Sequence, residues 1–307
     1  MELFDPKNLN FKFSNGFKTA GLISLVLTVV SLIGFFYPGL NYGIDFRGGI
    51  EASVHFNQAV SQGDVRGLLD SKLKNVSIVN FSEAGSNDFL ITAQSSDKES
   101  VSTILKAALT EKYGPEGAAW TVAKMDVVGP KVGSDLRKAA LLSLIYTCLL
   151  VTIYMYWRFD LRYSPGALAC IFHDLVLTMG FMVFTRGEFD TTVLAAFLTL
   201  AGYSINDTVV VFDRIREMEA KHRGRSKIDI VNEAINSTLS RTIMTAGTTL
   251  CGCAVLYFAG GPSLKYFASA LFFGIVVGTY SSAYIAAPLY IWADKYFSNK
   301  AAVTARG

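Results

Sequence analysis

The sequence predicts a polytopic α-helical membrane protein: six transmembrane helices, with one small α+β domain inserted between the first and the second. Three observations predict it. The 307 residues are 51% hydrophobic and only 17% charged, with a mean hydropathy of +0.36, whereas soluble domains carry roughly 25% charged residues. Apolar runs of the length that crosses a bilayer, about 20 residues, recur at 17–37, 139–157, 165–184, 191–212, 242–259 and 264–292. Between the first two lies one long polar stretch, 38–138, about the size of a small domain.

Each element follows from local pattern. Residues 1–37 read as an N-terminal segment and the first span. Lys7, Lys12 and Lys18 precede that apolar run as in a signal peptide. The run is too long for one, however, and Phe35-Phe36-Tyr37-Pro38-Gly39 follows it in place of a small-residue cleavage site, so the sequence predicts a retained anchor. Within 38–138 the pattern predicts strand at 50–56, helix at 63–73 and strand at 76–81. Strand at 89–93, helix at 98–112 and strand at 120–128 follow. The order βαββαβ is that of a ferredoxin-like domain, a fold that names no function by itself. Residues 139–297 form the remaining five spans, the last long enough to tilt, and 298–307 are a tail.

Charge orients the chain. Arg158 and Arg162 follow the second span, and Arg214, Arg216, Lys221, Arg223, Arg225 and Lys227 follow the fourth. Lys295, Lys300 and Arg306 lie at the C-terminal end. On the other side, the loop 185–190 sets Arg186 against Glu188 and Asp190, and the loop 260–263 has no charge. By the positive-inside rule both termini face the cytoplasm and 38–138 is extracytoplasmic. A net charge of +3 gives no reason to expect nucleic acid as a partner; membrane lipid surrounds the spans. Cys148, Cys170, Cys251 and Cys253 all fall within spans, as packing residues and not as a disulfide framework.

The motifs exclude much chemistry. No G-x-x-x-x-G-K-[ST] and no H-E-x-x-H occur, and no Cys/His set has metal spacing, so neither an ATPase, a hydrolase nor a metal site is predicted. His55 lies in a predicted strand with no neighbouring ligand candidate. What remains is polar residues inside spans. A charge in hydrocarbon costs at least about 2.5–3.5 kcal/mol, so such residues pair or relay ions. Asp207 lies about 24 Å into the fourth span and Arg241 about 27 Å into the fifth, at about 1.5 Å per residue. Similar depth permits a pair; the alternative is that both mark the cytoplasmic interface, with Arg241 an ordinary anchor. His173-Asp174 in the third span suits either a proton relay or a helix–helix hydrogen bond. Ser204 and Asn206 beside Asp207 either line a polar path or satisfy nearby backbone. Asp213 and Glu217 interleave with Arg214 and Arg216 as solvated pairs. In the sixth span Ala270, Gly274, Gly278, Ser282 and Ala286 recur every four residues, a stripe that lets another helix approach, from within the bundle or from a partner.

Five stretches together resemble one family. They are Asn41-Tyr42-Gly43-Ile44-Asp45-Phe46-Arg47-Gly48-Gly49, Val128-Gly129-Pro130-Lys131-Val132-Gly133, Phe172-His173-Asp174, residues 202–217 and Ser240-Arg241-Thr242. In order and spacing they resemble the SecD/SecF translocase subunits. Six spans with one modest outer domain, and Tyr203-Ser204-Ile205-Asn206-Asp207, are of the SecF kind. Arg47 stands where some SecF chains carry Thr. The resemblance implies pairing with SecD in a twelve-span assembly similar to resistance-nodulation-division exporters. It implies association with the SecYEG channel and YajC, and use of the proton-motive force, or sodium in some relatives, to help move unfolded preproteins across the membrane. It implies no cofactor beyond the coupling ion. Asp207 and Arg241 match the family's ion path, whose remaining carboxylate comes from SecD. Gly43, Asp45, Gly48 and Gly49 belong to the family signature, read structurally because Gly-Gly opens backbone conformations closed to other residues. A small-molecule exporter and a passive scaffold built on the sixth-span stripe are the rival readings.

Overall fold

The computed structural model describes residues 10–73, 76–80, 87–94, 97–222 and 224–304. Phe81, Lys7, Arg223 and Arg306, named above, lie outside the described residues. Six helices are long and apolar enough to cross a membrane.

Helix α1 (Phe17–Phe36) is the first span. Its interior-facing residues are small: Ala20, Ser24, Ser31 and Gly34 are buried, while Leu22, Leu25, Ile33 and Phe36 are exposed. A small-residue face lets α1 lie close against the third span. A Cβ added at Gly180 there would sit 2.1 Å from Ser31 Oγ and 3.1 Å from Ser31 Cα. Gly180→Leu is therefore expected to push α1 off the bundle and cost at least about 1–3 kcal/mol. A thermal midpoint in detergent equal to that of the parent would contradict that packing.

The chain then forms β1 (Asn41–Tyr42) and the one-turn helix α2 (Ile44–Arg47), which the sequence pattern did not predict. The sheet domain follows as β2 (Gly49–Phe56), α3 (Gln62–Asp70), β3 (Ser77–Asn80), β4 (Asp88–Ala93), α4 (Lys98–Tyr113) and β5 (Trp120–Val128). These six elements keep the predicted β-α-β-β-α-β order, with α3 ending three residues before position 73. The sheet is antiparallel, in the order β3-β4-β2-β5. Val54, Phe56, Phe89, Ile91 and Trp120 bury one face against Val65, Leu69, Leu105 and Leu109 of the two helices. Ser61 and Asp97 cap α3 and α4 through backbone N–H groups of their first turns.

The remaining spans are α5 (Pro130–Arg158), α6 (Ser164–Phe184), α7 (Thr191–Lys221), α8 (Lys227–Ala259) and α9 (Pro262–Ser281). A π-helical turn at Ser282–Ala286 joins α9 to α10 (Ala287–Thr304), completing the sixth span. Between α6 and α7, β6 (Glu188–Phe189) pairs in parallel with β1. Helices α7 and α8 have 31 and 33 residues, about 47 and 50 Å at about 1.5 Å per residue, and so run well past a hydrocarbon core of about 30 Å. The apolar count saw only the parts in oil; the polar extensions, Asp213 to Lys221 and Lys227 to Arg241, are helical too. Helices α6, α7 and α9 are the most buried, and α1, α5 and α8 present large exposed apolar faces, Leu150, Trp157 and Phe258 among them.

The sixth-span stripe is an internal contact. Ala270, Gly274, Gly278, Ser282 and Ala286 are all buried. A Cβ on Gly274 would lie 2.4 Å from Leu200 Cδ2 of α7, and one on Gly278 3.4 Å from Ser204 Cβ and Asp174 Oδ2. All four cysteines are free. At the end remote from the sheet domain, Glu219 accepts hydrogen bonds from Tyr163 and Tyr290, whose rings stack 4.6 Å apart, and pairs with Lys227. Asp294 joins Arg162 and Lys227 to the same cluster, fastening α6, α7, α8 and α10.

A candidate ion-relay site in the bundle

The third, fourth and sixth spans place three polar side chains around one carboxylate. Asp174 of α6, 1% exposed, accepts at Oδ2 from Ser204 Oγ of α7 at 2.5 Å and from Ser281 Oγ of α9 at 2.8 Å. Its Oδ1 lies 2.9 Å from His173 Nδ1. Cys170 Sγ donates to the Ser281 carbonyl at 3.2 Å, and Thr208 Oγ1 to that of Ser204 at 3.3 Å. Gly278 lies against this contact: a Cβ there would meet Asp174 Oδ2 and Ser204 Cβ at 3.4 Å, an ordinary packing distance that a larger side chain would crowd. The hub closes where the sixth span widens into the π-helical turn, a backbone irregularity found disproportionately at functional positions. Of the two sequence readings of Asp174, the helix–helix hydrogen bond is the one these contacts make directly. His173 is 5% exposed and its Nε2 has no hydrogen-bond partner among the described residues.

Asp207 sits one turn along α7 from Ser204, 4% exposed, with Oδ2 buried and without a hydrogen-bond partner among the described residues. An orphaned carboxylate oxygen is costly, and a native fold keeps one chiefly where it has work to do. The expected partner is not in contact with it. Arg241 is exposed on α8 and makes no ion pair with Asp207 at contact distance, though it stands near enough for its charge to act on the carboxylate. Depth along a helix, which counting residues gives, does not fix the side on which a residue emerges; Asp207 faces the core and Arg241 faces out. Asn206 is likewise exposed on α7, near Gly202, where an added Cβ would touch nothing within 4 Å.

The signature stretch builds the joint between sheet domain and bundle. Gly48 and Gly49 have φ of +76° and +145°, as Gly-Gly was read to require. Gly43 has an ordinary φ of −70° and is needed for space instead, since a Cβ there would meet Asp190 Cβ at 3.1 Å. Asp45 Oδ2 accepts from Thr191 N at 3.0 Å and Thr191 Oγ1 at 2.5 Å, while Asp190 Oδ1 accepts from Val193 N at 2.7 Å. Two carboxylates therefore cap α7, the helix that carries Ser204 and Asp207, where its N-terminal dipole favours negative charge.

Other expected sites are placed plainly. His55 is not alone: it faces Asp88 across β2 and β4, Nδ1 to Oδ1 at 2.6 Å. Asp213 and Glu217 pair with Arg216 and Arg214, and Asp213 also accepts at both oxygens from Arg158 of α5. No cluster of three metal-ligating side chains occurs among the described residues. Sequence reasoning missed Ser281. Its neighbour Ser282 was flagged as part of the stripe, and a step of one residue, about 100° on a helix, separates the packing face from the hydroxyl that reaches Asp174.

Comparison with known proteins agrees along the chain. The family model described as protein export membrane protein SecD/SecF, C-terminal, matches residues 108–296, and that of the SecD/SecF GG motif matches residues 33–60. The chain is 36% identical over 300 residues to the protein translocase subunit SecF of Rickettsia felis, covering 96% of both chains. It is 38% identical to that of Desulfurispirillum indicum, covering 89% of each. A crystal structure of SecDF, a translocon-associated membrane protein, from Thermus thermophilus is similar with a TM-score of 0.83 at 32% identity. The match covers 94% of this chain and 39% of that one, so this chain spans well under half of a SecDF chain. A multi-pass bundle, a small sheet region after the first span and the signature stretches thus all point one way, and the chain belongs to the SecF family of protein translocase subunits.

Proposed function

We propose that this chain is the ion-carrying half of a gradient-driven export machine, paired with SecD and working beside SecYEG and YajC on unfolded preproteins. The observation that carries the reading is the buried, unpartnered carboxylate oxygen of Asp207. Protons are the coupling ion in this proposal, and no cofactor is needed. Exposure supports a shared site: Arg241 and Asn206 stand on uncovered faces of α8 and α7, where a second bundle would close over them. SecD is the natural occupant, because solved SecDF chains hold this chain's fold in 39% of their length. Asp174 and His173 form the second station of the relay, linked to Asp207 through Ser204 on the same helix.

In this reading protonation of Asp207 biases two arrangements of the bundle. Asp45 and Asp190, capping α7, pass the bias to the sheet domain through the joint at Gly48–Gly49. The distribution of Arg and Lys supports placement in the cytoplasmic membrane with both termini inside. The test of the shared site is a disulfide: Arg241→Cys, in a background lacking the four native cysteines, is expected to cross-link to cysteines placed along the facing span of SecD. Absence of cross-linking at every position of that span would contradict it.

A further inference from the structure

The open face of the sheet does not meet solvent freely. It overhangs the rim of the bundle across a cavity of about 500 Å³, lined by Asp45, Glu51, Asp126, Glu188 and Asp190 against Lys124 and Lys265. The carboxylates come from both sides of the gap. Glu51 and Asp126 stand opposite each other on β2 and β5 of the sheet, and Glu188 and Asp190 stand on the rim loop. The chain enters the sheet through Gly48–Gly49, in backbone conformations only glycine adopts easily, and leaves it at Gly129 before Pro130. Short glycine segments on both connections are where a domain can pivot.

We propose that this gap is a pH-sensitive hinge: protonated rim carboxylates let the sheet domain rest on the bundle, and their ionisation drives the sheet away. The charges around it bear this out. Glu188 makes no ion pair among the described residues, and burial together with Glu51 and Asp190 raises its pKa to about 7, with Arg47 opposing. Burial, with Asp45 beside it, raises that of Asp190 to about 6 although it caps α7. Glu51 is raised by burial, by Asp126 and by the two rim aspartates, with Lys124 opposing. The two lysines do not balance the five carboxylates that line the gap, and Lys124 is paired with Asp126 at 2.5 Å while Lys265 lies over the Tyr257 ring. Tyr266, at the start of the sixth span, is the remaining titratable group beside Glu188. The sign follows from linkage. A carboxyl whose docked-state pKa is raised favours docking at low pH, and that preference drains as pH climbs from the ordinary carboxylate value to the raised one.

The test is a spin-label distance in the full chain in nanodiscs, between Thr103→Cys on exposed α4 and Phe258→Cys at the rim end of α8, with the four native cysteines replaced by Ala. The proposal expects one short distance at about pH 5 and a longer population that grows as pH passes from 6 to 7, and is complete by about pH 8.5. Glu188→Gln with Asp190→Asn, which keeps the cap on α7, is expected to hold the short distance throughout. Glu111→Gln, on the helix layer away from the gap, is expected to titrate like the parent. A parent distance that ignores pH, a rim variant that still opens, or a Glu111→Gln variant that fails to open would each overturn the hinge.

Discussion

Asp174→Ala is expected to loosen the bundle more than any other single truncation in it. Three buried side chains on two other helices and its own turn converge on this carboxylate. Ser281 Oγ has a second acceptor in the Gly278 carbonyl at 3.1 Å, so it survives the loss. Ser204 Oγ and His173 make no other side-chain hydrogen bond among the described residues, and each buried polar group left without a partner costs about 1–3 kcal/mol. A total of about 2–5 kcal/mol translates into a fall of roughly 5–10 °C in the thermal midpoint of the purified protein. Asp174→Asn keeps the shape and one acceptor oxygen and is expected to lose less than half as much. A midpoint for the Ala variant within about 1 °C of the parent would show that the hub holds nothing together.

Asp207→Asn is expected to do the opposite, leaving the fold intact and removing the drive. The side chain already lacks a partner at Oδ2, so an amide in its place breaks no bond within the chain and removes the cost of burying a charge. Insertion, thermal stability and cross-linking to SecD are expected to be unchanged. What disappears is the capacity to take up a proton. One proton crossing about 100 mV supplies about 2.3 kcal/mol, so the gradient's contribution to export is bounded near 50-fold. Pulse-chase labelling of a secreted protein in cells is expected to show precursor accumulating as it does when the gene is deleted. The passive-scaffold reading expects no change. Gly278→Leu does not separate the two readings, because Gly278 packs against Ser204 and Asp174 inside the bundle and any large side chain there disrupts the fold.

Much of this was legible in the chain because membrane spans are written in composition. Six apolar runs became six crossing helices, and the alternating stretch after the first became a sheet backed by two helices. What could not be read depends on pairing across distance or on rotation about a helix axis. The two-residue strands β1 and β6 have no pattern of their own and exist only because Asn41 and Tyr42 meet Glu188 and Phe189. The four-residue helix α2 is shorter than any periodicity. Arg241 and Asp207 share a depth yet not a direction, since a helix turns about 100° per residue and small differences in packing decide which side faces the core. For the same reason Ser282 is visible as a packing residue while Ser281, one step before it, is not.

Preprotein release from inverted membrane vesicles, with the proton and sodium gradients collapsed separately, tests the central claim most directly. The account predicts that collapsing the proton gradient slows release by the parent chain to the rate of vesicles carrying Asp207→Asn, and that the variant itself does not respond. Release by Asp207→Asn that still quickens with the gradient, by as much as the parent's does, would contradict it.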